Sequence, residues 1–351
     1  MAPTTLFLPH WLRALPGTGV LFGIRTALTA LAALWLAMWL QLETPRWAAW
    51  TVMSLALPTR GQVGVKGLWR MAGTVVGLVA ALVAVALFAQ HPIMMGVWLA
   101  LWCGLNSYVG GRTPGLASYG TSLASLTAAL IVLLSEQAPL QTFATALARG
   151  AGIMLGIGCV YIASAAAELV EGPRPGPAFP AGPSPSRDEV LAAAVRAVIV
   201  VLAAWALWVA TAWPSGAFFV VIAAVTSTIF ATMPDADIRA RGYLYGVAVG
   251  QIAGLLVRYG ALTAPGSFGL LAAIVFPFLF IGAVGMTDPR SIAPALGFNL
   301  SFLIAAEPLN PMTYDVAGSL NEAVAIFCGI AFGRAAYRTV LPGHVWRLAR
   351  P

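Results

Sequence analysis

Two arginines stand inside hydrocarbon runs, Arg25 in LFGIRTALTALAALWLAMWL and Arg196 in LAAAVRAVIVVLAAWALWVA. A guanidinium so placed has two uses. It can snorkel to lipid phosphate, because 17 apolar residues follow each arginine, up to Leu42 and Trp213. Alternatively, the pair faces inward and attracts an anion, the planar fork suiting a carboxylate through two parallel hydrogen bonds. Arg149 lies eight residues inside its own apolar run, too deep for an anchor, and Glu322 holds the corresponding place later in the chain. Ionisable groups at membrane depth are costly, usually face the interior, and mark pathways or proton relays. These two can close a structural salt bridge, or Glu322 can titrate and couple solute movement to protons. Asn106 and Asn299 are mid-membrane amides able to bond a ligand or a neighbouring helix. Trp35, Trp39, Trp47 and Trp50 suit an interfacial aromatic belt, and Trp47 is the candidate for stacking on an aromatic solute.

The elements that hold these residues follow from composition. Of 351 residues, 60% are hydrophobic and 9% charged, with mean hydropathy +0.87. A soluble chain carries about 25% charged residues, so this one belongs in lipid. The net charge of +7 is spread in ones and twos between apolar runs, which points to membrane topology and not to nucleic acid. Cys103, Cys159 and Cys328 all lie in apolar runs without ligand spacing, so disulfides and metal are not expected. His10, His91 and His344 sit at loops or termini, and no H-E-x-x-H, Walker, dinucleotide or nucleophile-elbow pattern occurs. The sequence gives no sign of an enzyme or a cofactor, and transport would have to be secondary.

A span needs about 20 apolar residues. Such runs fall near 18–42, 47–59, 67–89, 92–110, 116–135 and 141–165, then near 190–212, 215–233, 242–261, 268–286, 291–306 and 318–338. The runs at 47–59 and 291–306 are short for a crossing. The fold class expected is an all-α polytopic membrane protein with twelve spans, ten being the alternative. Between the sets lies EGPRPGPAFPAGPSPSR, a Pro/Gly-rich linker. The domains are then a first six-helix repeat over 1–170, a linker over 171–189 and a second six-helix repeat over 190–351. With both termini in the cytoplasm, fourteen Lys and Arg fall inside and two, Arg46 and Arg258, outside. The halves echo one another: Arg25 and Arg196 are 171 residues apart, Pro45 and Trp47 answer to Pro214 and Phe218, and GTVVG answers to GVAVG. Even-numbered halves enter the membrane in one sense, as parallel transporter repeats do. The paired glycines Gly73/Gly77 and Gly246/Gly250 suit close helix packing.

The arginine before the first helix, Pro45 with Trp47, the basic stretch TRGQVGVKGLWR, and Arg70, Gly73, Thr74 and Gly77 in R-x-x-G-T-x-x-G together resemble the fusaric acid resistance and aromatic acid exporter family. Arg149 followed by Gly156 fits the same pattern. The resemblance implies a bacterial inner-membrane efflux protein for aromatic carboxylic acids or similar organic anions, acting with a periplasmic membrane-fusion partner. Longer members carry a large cytoplasmic domain where this chain has its linker. Assembly into a homo-oligomer stays open. Two other readings stand beside proton-linked export: a major-facilitator-type carrier, against which the short chain and the absent acidic-basic loop signature speak, and a non-transporting scaffold of an envelope complex.

Overall fold

A computed structural model describes residues 17–57, 62–113, 115–135, 142–172, 185–231, 236–263 and 266–342. Most of the expected linker, with His10, His344 and the arginines at 13, 60, 174, 347 and 350, lies outside them. Twelve α-helices run through the described residues. The first six are α1 Gly17–Trp39, α2 Arg46–Leu55, α3 Gln62–Phe88, α4 Pro92–Arg112, α5 Ala117–Ser135 and α6 Thr142–Glu171. The others are α7 Arg187–Thr211, α8 Gly216–Ile229, α9 Ala236–Leu256, α10 Phe268–Gly285, α11 Ile292–Ala306 and α12 Val316–Thr339. A π-helical turn, Val257–Ala261, extends α9.

Eight of the twelve are long and apolar enough to cross a membrane; α2, α5, α8 and α11 are not among them. Among the described residues, length and composition alone mark eight candidate crossings, fewer than the twelve expected, while the count of helices is twelve. The four others are covered by protein. Nine of the ten residues of α2 are buried, as are ten of fourteen in α8 and nine of fifteen in α11. At 1.5 Å per residue, α2 reaches about 15 Å, half a hydrocarbon core. A short helix at membrane depth is tolerated where other helices cover its ends. The long helices supply that cover and turn their outer faces to lipid, as Val75, Val76, Val79, Val83 and Leu87 do down α3.

Local signals set several ends. At the start of α7, Ser186 Oγ accepts from the Glu189 amide at 3.3 Å while the Glu189 carboxylate accepts from the Ser186 amide at 2.8 Å. That capping box starts the helix at Arg187, three residues before the expected boundary. Asp315 Oδ1 accepts from the Gly318 amide at 2.9 Å and starts α12.

Glycines decide which helices meet. A Cβ on Gly73 of α3 would stand 2.2 Å from the Gly120 carbonyl of α5, and one on Gly246 of α9 would stand 1.9 Å from the Pro294 carbonyl of α11. Gly156 of α6 likewise admits the Ala48 carbonyl of α2, at 2.5 Å from a Cβ. Further contacts join α8 to α12, α4 to α7, α1 to α10, α5 to α8 and α2 to α11.

Candidate functional site

The buried helix α2 reads RWAAWTVMSL. Trp47, Trp50, Thr51 and Ser54 recur at three and four residues, so they lie along one face. A cation meets that face at each turn. Arg46 opens the helix. Next, the Arg149 guanidinium of α6 lies 3.6 Å from the centroid of the Trp47 ring, directly on its face. One turn on, Arg70 of α3 donates to Thr51 Oγ1 at 3.1 Å and to the Tyr119 hydroxyl at 2.8 Å, and lies 5.0 Å from the Trp50 ring centroid. At the last turn, Lys66 donates to the Ser54 carbonyl at 2.7 Å and lies 5.2 Å from the Tyr119 ring centroid. Four positive charges and three aromatic rings thus share the length of one short helix.

Arg70 and Arg149 are 2% and 5% exposed, and the Nε of each is buried without a hydrogen-bond partner. Among the described residues none of Lys66, Arg70 and Arg149 is paired with a carboxylate; the salt bridges fall on Arg46, Arg258, Arg334 and Arg338. Buried charge without a counter-ion is expensive. Ring faces and hydroxyls offset part of that cost for these cations, and an anion would offset the rest.

Each end of the row has its own furniture. At the Arg46 end, Glu307 takes Arg46 through one carboxylate oxygen and Arg258 through the other, the latter at 2.6 Å. Arg258 is held in the π-helical turn and also donates to the Thr313 carbonyl at 2.8 Å and Ser319 Oγ at 3.0 Å. Glu322 lies within electrostatic reach of Arg46, Glu307 and Arg258, and its Oε1 is buried without a hydrogen-bond partner. At the Ser54 end, a shallow cleft is lined by Arg25 and Thr29 of α1, Ala56 and Leu57 beyond α2, Val63 of α3 and Ser164 of α6.

The expected residues are therefore dispersed. Trp47 and Arg149 meet each other. Arg149 and Glu322, expected as a pair, both neighbour Arg46 instead. Arg25 opens on the cleft, whereas Arg196 donates to the Val340 carbonyl at 2.8 Å and to the Leu341 carbonyl, and so ties down the end of α12. Arg25 thus lies at the cleft and Arg196 at the end of α12. Asn106 donates to Trp102 on its own helix at 2.8 Å, and Asn299, fully buried, packs its amide between Met286 and Gly282. Trp35 and Trp39 stack together on the exposed side of α1, as a lipid belt requires, but Trp50 is buried like Trp47.

Sequence reading passes over Tyr119 and Glu307, places Trp50 in the aromatic belt, and counts Lys66 and Arg70 as charges of the basic stretch, Arg70 also as part of the family motif. A signal was present for Arg70. It shares the spacing of Gly73, Thr74 and Gly77, and those positions make one buried helix face.

A family model for the fusaric acid resistance protein family matches the chain twice, over residues 19–169 and 163–350. The chain is 35% identical over 154 residues to "Uncharacterized transporter GOX0755" of Gluconobacter oxydans, covering 42% of this chain and 21% of that protein. It is 31% identical over 151 residues to "p-hydroxybenzoic acid efflux pump subunit AaeB" of Salmonella heidelberg, covering 40% and 23%. To the protein of that name from Musicola paradisiaca it is 32% identical over 162 residues, covering 44% and 24%. The matches thus span less than a quarter of the length of these curated relatives. No solved structure matches. With both halves matched by one family model, the chain belongs to the fusaric acid resistance protein family, as a multi-pass membrane protein.

Proposed function

We propose that the protein exports organic anions from the cytoplasm across the bacterial inner membrane, with aromatic carboxylates as the substrate class. The observation that carries this reading is the cation row on α2, whose three inner members have no carboxylate partner among the described residues and are interleaved with Trp47, Trp50 and Tyr119. An aromatic acid offers a carboxylate for a guanidinium fork and a ring for an indole face. The route runs from the Arg25 cleft, past Lys66, Arg70 and Arg149, to Arg46 and Glu307. Glu322, next to that last pair, is the proposed proton-coupling group. Arg196, Asn106 and Asn299 serve the route indirectly, by fixing the helices that flank it.

The architecture proposed is two parallel six-helix repeats joined by a cytoplasmic linker, with both termini cytoplasmic. Helix pairings support it, because they recur six helices on: α3–α5 with α9–α11, α2–α6 with α8–α12, α4–α7 with α10–α1, and α5–α8 with α11–α2. Separate family matches to the two halves support it as well. A periplasmic membrane-fusion protein is the proposed partner, and self-association is proposed alongside it. The names of the AaeB relatives make p-hydroxybenzoate the first probe. In proteoliposomes, the purified protein should release it faster than protein-free vesicles do, and faster under an imposed proton gradient. No flux across a panel of aromatic and aliphatic carboxylates would leave the protein a non-transporting scaffold.

A further inference from the structure

Glu307 is the one carboxylate among the described residues that bridges two arginines from opposite halves of the chain. Arg46 comes from the start of α2, Arg258 from the π-helical turn after α9, and Glu307 from the residue that ends α11. All three side chains are largely buried, at 12%, 5% and 19% exposure. Glu307 reaches its place from a left-handed backbone (φ 38°), a conformation a residue with a Cβ adopts only where surroundings impose it. Arg46 keeps its Nε buried without a hydrogen-bond partner, and Glu322 beside it keeps Oε1 without one. The bridge therefore lies at the end of the cation row, where the next carboxylate-binding position would be, and a carboxylate of the chain itself fills it.

We propose that Arg46 and Arg258 form a carboxylate-binding subsite, occupied at rest by Glu307 as a tethered counter-ion that closes the outer end of the row. An arriving organic carboxylate displaces Glu307 from Arg46, the fork of Arg46 changes partner, and Glu307 stays with Arg258. Arg258 is the fixed member, since Thr313 holds its other two nitrogens and Ser319 Oγ shares Nη1 with Glu307. Arg46, with Glu307 as its salt-bridge partner, is the member free to exchange. Closure is then carried by one ion pair across the two halves, and no large domain need move.

The inference rests on the anion-route reading for its purpose, but its test needs no transported substrate. Cys103, Cys159 and Cys328 are replaced by alanine and a single cysteine is placed at Thr51, one turn inside the bridge. The membrane-impermeant anion 2-sulfonatoethyl methanethiosulfonate is applied on the face from which a cysteine at Glu43 is labelled. Glu307→Gln, which keeps the shape and removes the charge, should speed labelling at position 51 by about tenfold or more, the loss expected for one charge-assisted contact. Should that variant fail to reach the membrane, Glu307→Asn removes the same counter-ion, suits the left-handed backbone there and should give the same acceleration. Labelling within about twofold of the parent rate in the variant that folds overturns the latch, while p-hydroxybenzoate flux by the unmodified protein decides the export reading separately.

Discussion

Arg149 over Trp47 is the contact on which charge and shape separate most cleanly. Lysine in place of Arg149 keeps the charge but lacks the flat face and the fork. Arg149→Lys should therefore weaken p-hydroxybenzoate affinity by about ten- to hundredfold, the range for one charge-assisted hydrogen bond, with an unchanged melting temperature in detergent. The two matched arginines should part company. Arg25→Lys should raise KM for export, because Arg25 lines the cleft. Arg196→Lys should leave KM alone and cost about 1.5–3 kcal/mol of stability, read as a lower Tm, because its partners are the carbonyls that end α12. Glu322→Gln should abolish stimulation by a proton gradient while p-hydroxybenzoate exchange persists; full stimulation in that variant would remove Glu322 from coupling. The sequence disclosed the residues whose cost is visible from hydropathy alone, Arg149 and Glu322 in mid-run. It hid the burial of Arg70, which it showed only as a motif position, because the partners that bury it, Thr51 and Tyr119, lie 19 and 49 residues away. Its charge therefore looked like one more loop arginine.

Helices were legible wherever length and composition agreed, and ambiguous where burial replaced length. The eight candidate spans are long apolar runs, whereas α2, α8 and α11 are short for a crossing and are largely buried by the helices around them. Hydropathy cannot tell those cases apart, since a helix in protein and a helix in lipid are both apolar. The glycine pairs were legible as contacts but did not name their partners. Their energetics can be checked by contrast. Gly246→Ala would drive a Cβ into the Pro294 backbone carbonyl and should destabilise the α9–α11 pair by about 1–3 kcal/mol. Gly158→Ala on α6 meets nothing within 4 Å and should be neutral or stabilising by about 0.5–1 kcal/mol. Thermal unfolding of both variants in one detergent measures the difference.

At the scale of the molecule, the charge asymmetry read from the sequence grows once the site is taken out of it. Lys66 and Arg70, counted inside, and Arg46 and Arg258, counted outside, all belong to the α2 row or its bridge. Removing these four leaves twelve inner charges and no outer ones. Cysteines at Glu43 and Thr113 should accordingly be labelled from opposite faces, Glu43 from the periplasm and Thr113 from the cytoplasm. All four members of the cationic row come from the first half of the chain. Around α8 the corresponding ground holds Phe219 against Phe332, and Glu322 stands where the first half has Arg149. On the proposed reading, one half supplies the anion route and the other the carboxylates that close and couple it. The most direct test is p-hydroxybenzoate efflux from proteoliposomes carrying Arg70→Gln or Arg149→Gln. Each variant should reassemble with a normal melting temperature and lose about ten- to hundredfold in kcat/KM. Export by both variants at the rate of the unmodified protein would contradict the assignment of the α2 row as the anion's path.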